Sequence, residues 1–320
     1  MKELKDILGL RSDPAPEAAA RRLYAAPGPE APGQPPADHT LTRLRRTGYG
    51  VIALLASCAT ASTPGSGAPT LPVMTPEQRA LSFSLTAPDM SALGAPLALW
   101  ATHYHTPSIR PAAPGQTGSI ALLNRSNQPI SPPLSQRDWC EAALQGSVAV
   151  REAGGKRAFV FIDSKGPEQT HCDSWLGSLP DAVKIATRRA RFMEVNHPLG
   201  CDARNHPLVP FRTIAVDPSM IPLGSVLFVP ELRGRTFRTD ERTWVHDGYL
   251  FAGDRGGAIR GAHIDVFMTE DESSSLEDLF ASTPDRTFNA HLVTASNPDA
   301  SALLTTQQAG CAQARGMGDF

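Results

Sequence analysis

The chain has 320 residues, with 30 basic and 32 acidic side chains and a formal net charge of −2. So even a balance leaves no electrostatic footprint for a nucleic-acid partner and no basis for long-range steering. A hydrophobic content of 41% supports a core, while 26 glycines and 29 prolines point to a β-rich domain with much loop and linker.

Residues 1–47, rich in Pro, Ala and Glu, read as a disordered extension or as sequence upstream of the true translation start. Arg43, Arg45 and Arg46 then precede a short apolar run ending in Leu55-Ala56-Ser57-Cys58. A basic flank, an apolar core and small residues in that order form a secretory signal over residues 48–58, with a lipobox-like end. The run is too short to span a bilayer as a permanent helix. Cys58 is therefore expected to become the acylated N-terminus of a bacterial lipoprotein in the periplasm, its lipid held in the outer membrane. The plainer alternative is a short buried segment with an ordinary cysteine. Residues 59–92 read as a flexible linker, with one short helix at 76–81.

The domain proper is expected over residues 93–270. It opens with a strand at 97–105, in which alternation gives Thr102 and Tyr104 one face and His103 and His105 the other. A short strand is expected at 119–123. Ser135 is a natural N-cap, with Asp138 three positions on, for a helix whose apolar stripe holds Trp139, Ala142 and Ala143. Strands at 148–151 and 157–162 read as a hairpin, and 200–205 as a polar loop. Five cysteines occur, Cys58, Cys140, Cys172, Cys201 and Cys311, without CxxC or Cys/His metal spacing, so no metal site is expected. With Cys58 lipidated, the other four can pair in three ways.

Three aspartates follow in three local settings. Asp217 closes the apolar run Thr213-Ile214-Ala215-Val216 and precedes Pro218. Strands are expected at 226–229 and 249–252, and Asp254 then opens the loop Gly253-Asp254-Arg255-Gly256-Gly257. Asp265 lies within an alternating strand, His263-Ile264-Asp265-Val266-Phe267, on the face opposite Ile264 and Val266. A carboxylate in that setting is poorly explained by turn chemistry and is expected to face a groove. For Asp217 an Asx turn, and for Asp254 a loop cap, are equally good explanations. Gly256 and Gly257 would let the backbone pass close to a ligand. Arg260 and His263 are candidate saccharide contacts or solvated surface. Residues 271–320 read as a tail without clear chemistry.

The segments IAVDPSMIPLGSVLFVP and GDRGGAIRGAHIDVF resemble the three-aspartate (3D) domain family, which is related to membrane-bound lytic transglycosylase A. LWATHYHTP resembles the first strand of the same domain. The resemblance implies a mainly β fold, a double-psi β-barrel with a few short helices and long loops. It further implies cleavage of the peptidoglycan glycan strand between N-acetylmuramic acid and N-acetylglucosamine, leaving 1,6-anhydromuramic ends, without a cofactor. In that reading Asp265 is the acid, Asp254 precedes it by eleven positions as in the family motif, and Asp217 supports both. Tyr104 would stack on a sugar or complete the groove. A non-catalytic cell-wall glycan-binding module is the second reading. Because both lie in the family-like region, Cys140 and Cys172 are the favoured disulfide. The stretch between His105 and Phe211 would be a reduced second domain or elaborated loops.

Overall fold

The computed structural model describes residues 74–176, 179–239, 242–268, 276–307 and 310–311, all within one compact unit, Met74–Phe320. In chain order the helices are α1 (Pro76–Leu81), α2 (Gln136–Gln145), α3 (Asp173–Leu176), α4 (Asp181–Arg188), α5 (Glu277–Phe280) and α6 (Pro298–Gln307). The strands are β1 (Leu93–Tyr104), β2 (Ser108–Ile109), β3 (Ser147–Glu152), β4 (Gly155–Asp163), β5 (Arg191–Val195) and β6 (Thr213–Ala215). They continue as β7 (Val226–Phe228), β8 (Thr236–Thr239), β9 (Arg242–Val245), β10 (Tyr249–Asp254), β11 (His263–Phe267) and β12 (Phe288–Val293). The signal-like run and Cys58 lie outside the described residues. No helix among the described residues is long and apolar enough to cross a membrane.

Strand β1 is long enough to serve two neighbours. Its first part pairs antiparallel with β12, and from Trp100 to Tyr104 it runs parallel to β11. From there the sheet closes on itself in the order β1-β11-β6-β10-β7-β12, so the expected barrel is closed and has six strands. Closure leaves no unpaired strand edge in this sheet. Period-two alternation fills its interior with Leu99 and Ala101 of β1, Ile264 and Val266 of β11, and Ile214, Leu227, Leu250, Ala252 and Ala290 from the others. The opposite face of β1 and β11 carries Trp100, Thr102 and Tyr104 beside His263, Asp265 and Phe267.

The stretch between β1 and β6 forms a second sheet, ordered β2-β3-β4-β5, with its own core. Helix α2 lays Trp139, Cys140, Ala142 and Ala143 against Val148, Val150, Phe159 and Phe192. Its cap is the expected one: Ser135 Oγ accepts the Asp138 amide at 3.2 Å and donates to Asp138 Oδ2 at 2.6 Å. Cys140 and Cys172 form a disulfide in this core, and Cys201 and Cys311 form a second. This stretch is therefore an ordered sheet-and-helix layer with its own core, not loop alone.

Three expectations need correction. Residues 119–123 make only the isolated bridges Ile120–Leu134 and Leu123–Pro129, since prolines at 129, 132 and 133 cannot donate to a longer ladder. The supposed tail supplies β12, which closes the barrel between β1 and β7, and the helix α6. The C-terminal part of the linker is also not a tether, because residues 74–92 dock on the barrel. There α1 is held by a capping box between Thr75 and Gln78, and Phe83 and Leu85 are buried.

A buried polar knot makes that docking possible. Arg212, fully enclosed, grips Asp247 with two bonds of 2.7 and 3.1 Å. It donates further to Ala80 O and Tyr249 O, and its guanidinium lies 4.0 Å from the centre of the Phe83 ring. Asp247 in turn accepts the amides of Leu85 and Tyr249. Beside it, His246 donates from Nε2 to Phe211 O and accepts the Gly248 amide at Nδ1. One neutral tautomer satisfies both bonds, and burial together with the Arg212 charge pushes its pKa down to about 4.

Candidate active site

Two of the three aspartates are set side by side by a single residue of β6. Ala215 is the register partner of Asp265 across an antiparallel pairing and of Asp254 across a parallel one. The two acids therefore flank β6 at the same level, one strand away on either side. Asp217 follows two residues beyond Ala215, where the chain leaves the barrel. Sheet topology thus sets Asp254 and Asp265 on either side of Ala215, which precedes them by 39 and 50 positions in sequence.

Asp265 lies opposite Thr102 in the β1–β11 pairing, and Thr102 Oγ donates to its Oδ1 at 2.7 Å. Thr102 Oγ also lies 2.9 Å from His263 Nε2. Burial pushes His263 down to about 4, so the imidazole is neutral at ordinary pH. Its ring stacks on Trp100, with centres 3.6 Å apart and planes 3° from parallel. Through this chain, Nε2–H donates to Thr102 while Asp265 is charged. Asp265 keeps part of its surface open, yet protein surrounds its carboxyl elsewhere. Desolvation foremost, opposed by the Thr102 bond and reinforced by the Asp254 charge, pushes its pKa up to about 7.

Asp254 accepts the Tyr104 hydroxyl at Oδ2, 2.9 Å away, and the amides of Arg255 and Ala203 at Oδ1, 2.8 and 3.2 Å away. Its pKa also rises, to about 6, because burial outweighs those donors and the nearby Asp202 adds to it. Asp217 behaves oppositely. The Gly261 amide donates to its Oδ2 at 2.8 Å, and the Ser219 amide and hydroxyl donate to Oδ1 at 3.0 and 2.7 Å. These donors hold it down at about 2, so it stays charged and ties its turn to the loop before β11. The environments thus separate the acids: Asp254 and Asp265 are pushed towards neutral pH by burial, and Asp217 is held as an anion by its donors.

The remaining sequence candidates fall into place as follows. Tyr104 is buried, with its ring against Phe267 and its hydroxyl on Asp254, so it walls the site and offers no open face for stacking. Arg260 is exposed and donates to Ile259 O at 2.6 Å, within its own loop. A Cβ on Gly256 would come within 2.5 Å of Ile259 Cγ1, so this glycine serves loop packing, whereas Gly257 faces open space. A cavity of about 500 Å3 opens at His105, next in sequence to Tyr104, and is lined by Ser108, Arg110, Gln116, Asp138 and Glu141. None of the three aspartates lines it. His105, which lines it, lies against Glu141 and follows Tyr104 at the end of β1.

Sequence reasoning missed Trp100 and Asp202. Trp100 sits two positions before Thr102 in an alternating strand, which was the available signal for its place on the site face. Asp202 lies in a polar loop with no periodicity, and only its neighbour Cys201 marked that loop as fixed.

Residues 212–276 match the 3D domain family. Among solved structures, the chain is similar to MltA of E. coli with bound chitohexaose at 15% identity, covering 62% of this chain and 72% of that one, with a TM-score of 0.41. It is similar to a membrane-bound lytic murein transglycosylase of Agrobacterium tumefaciens at 18% identity, covering 70% and 80%, with a TM-score of 0.42. The lytic transglycosylase LtgG of Burkholderia pseudomallei is 20% identical over 68% of this chain and 83% of that one, with a TM-score of 0.32. No curated protein sequence matches the chain significantly.

Proposed function

We propose that this chain, whose residues 212–276 match the 3D domain family, is a peptidoglycan lytic transglycosylase that uses Asp265 as its acid and base. The observation that carries the reading is a strand carboxyl, pushed up to about 7, that shares the register partner Ala215 with a second one pushed up to about 6. Breaking a glycosidic bond needs a proton for the leaving oxygen and stabilisation of an oxocarbenium-like transition state. Protonated Asp265 supplies the proton, and the bond from the anomeric carbon to that oxygen breaks. The carboxylate left behind then takes the proton of the muramic sugar's own 6-hydroxyl, whose oxygen attacks the anomeric carbon. Asp265 ends protonated again, and the product carries a 1,6-anhydro ring. No water and no second nucleophile is consumed.

Asp254, ionised, faces the developing positive charge, and Asp217 fixes the turn through Gly261. The open volume beside His105 offers room for neighbouring sugars. Export, acylation at Cys58 and an outer-membrane anchor belong to the same proposal, since the substrate lies in the cell envelope.

The test is incubation of the protein with murein sacculi over a pH series, followed by mass analysis of the released muropeptides. Products one water lighter than hydrolytic ones are expected, with a bell-shaped rate highest between about 6 and 7. The acid limb reports ionisation of Asp254 and the alkaline limb loss of the Asp265 proton, as macroscopic steps of a coupled pair. Reducing ends would mean hydrolysis by water. Binding without any product would favour the glycan-binding module.

A further inference from the structure

One buried acid has no part in the scheme above. Asp202 sits in the loop between β5 and β6, and its side chain has no solvent exposure. Oδ1 accepts the amides of Arg204 and His206, each at 2.9 Å, and Oδ2 lies 3.3 Å from His206 Nδ1. An asparagine could accept both amides equally well, so hydrogen bonding does not explain why a charge is buried here. Burying a carboxylate without a strong cationic partner is costly. The charge therefore needs another reason.

The surroundings supply one. Asp202 Oδ2 packs directly on Gly253, where a Cβ would come within 2.1 Å of it, and Gly253 immediately precedes Asp254. The next residue of the same loop, Ala203, donates its amide to Asp254 Oδ1. The loop is clamped at both ends, by the Cys201–Cys311 disulfide and by the Cys311 amide on Asn205 O. Arg204 reaches across to Leu223 O. A clamped loop thus packs a carboxylate on Gly253, the residue before Asp254, while its next amide, that of Ala203, holds Asp254 itself.

We propose that Asp202 is a positioning residue for Asp254: it fixes the loop that grips Asp254 and sets the charge against which Asp254 must ionise. The groups facing Asp254 are Tyr104 from β1, Asp265 from β11, the Arg255 and Ala203 amides, and Asp202 with its partner His206. Of these, Asp202 and Asp265 are the acids. Burial raises the pKa of Asp202 itself, opposed by the His206 contacts. Only the catalytic consequence rests on the proposed transglycosylase reading; the linkage between the two acids does not.

The experiment is a carboxyl titration of the full chain labelled with 13C at aspartate, the Asp254 signal being assigned by its loss in Asp254→Asn. Asp202→Asn keeps the amide bonds and removes the charge, so the Asp254 midpoint should fall by about half a unit or more, roughly a threefold loss of proton affinity. If that variant does not fold, the parent protein serves instead: two acids linked in this way each report the other's step, so the Asp254 signal should carry a second inflection at the Asp202 midpoint. An unmoved Asp254 midpoint in folded protein overturns the proposal. This readout needs no substrate, so it stands apart from the question of activity. If the chain cleaves glycan, Asp202→Asn should shift the acid limb of the rate profile downward and leave the alkaline limb in place. Loss of rate with both limbs unmoved would mark Asp202 as merely structural.

Discussion

Replacing Asp265 with asparagine is expected to lower release of anhydromuropeptides from sacculi by about a thousandfold, within the usual range for a positioned general acid. The amide still accepts the Thr102 hydroxyl, so the wall formed by Thr102, His263 and Trp100 survives while the transferable proton is lost. Stability should move the other way. Folded Asp265 holds its proton up to about 7, whereas an unfolded aspartate releases it near 3.9. Between those values the folded state binds more protons, so folding loses stability as pH rises, and above 7 the whole penalty is present. Asp265→Asn removes that penalty. At pH 8 the variant should unfold at higher urea than the parent, by on the order of a few kcal/mol, and at pH 4 the two should coincide. Lost activity with gained stability separates chemistry from misfolding. Lost activity with a lower midpoint at pH 8 would contradict the assignment.

Arg212→Met should cost about 3–5 kcal/mol of unfolding free energy, the range for stripping one partner from a buried ion pair. The loss is large because Asp247 would remain enclosed without its two-pronged donor, and because Ala80 O and Tyr249 O would lose theirs. The ring of Phe83 would also lose the cation above it. Residues 80–85 should then detach first, which amide exchange at Leu85 would register, since that amide is held by Asp247. Replacing Asp247 with leucine in the same chain should recover much of the loss, because no charge then remains unpaired. Equal urea midpoints for the parent and Arg212→Met would show that the knot contributes nothing.

Local pattern revealed the elements of the site but not their meeting. Alternation in His263–Phe267 put Asp265 on the face away from Ile264 and Val266, and alternation in β1 put Thr102 and Tyr104 together. That these two faces are one face depends on register, which long-range pairing sets. Likewise nothing near Ala215 reveals that it sits between Asp254 and Asp265. Strand β12 did carry a signal, with Phe288, Ala290 and Leu292 alternating against Asn289 and His291, but an acidic, serine-rich run just before it obscured the pattern. Residues 74–92 looked like linker because Phe83 and Leu85 are two apolar residues without a period. Their partners, Arg212 and Asp247, lie more than a hundred positions away. The placement of Asp202 is illegible for a related reason: a disulfide to Cys311 holds its loop.

Catalysis by Asp265 requires that this acid keep its proton at neutral pH, which is measured most directly as its carboxyl chemical shift against pH. A midpoint near 7 is predicted. A midpoint close to about 4, the value of an ordinary solvated aspartate, would leave no proton to donate at neutral pH and would contradict it.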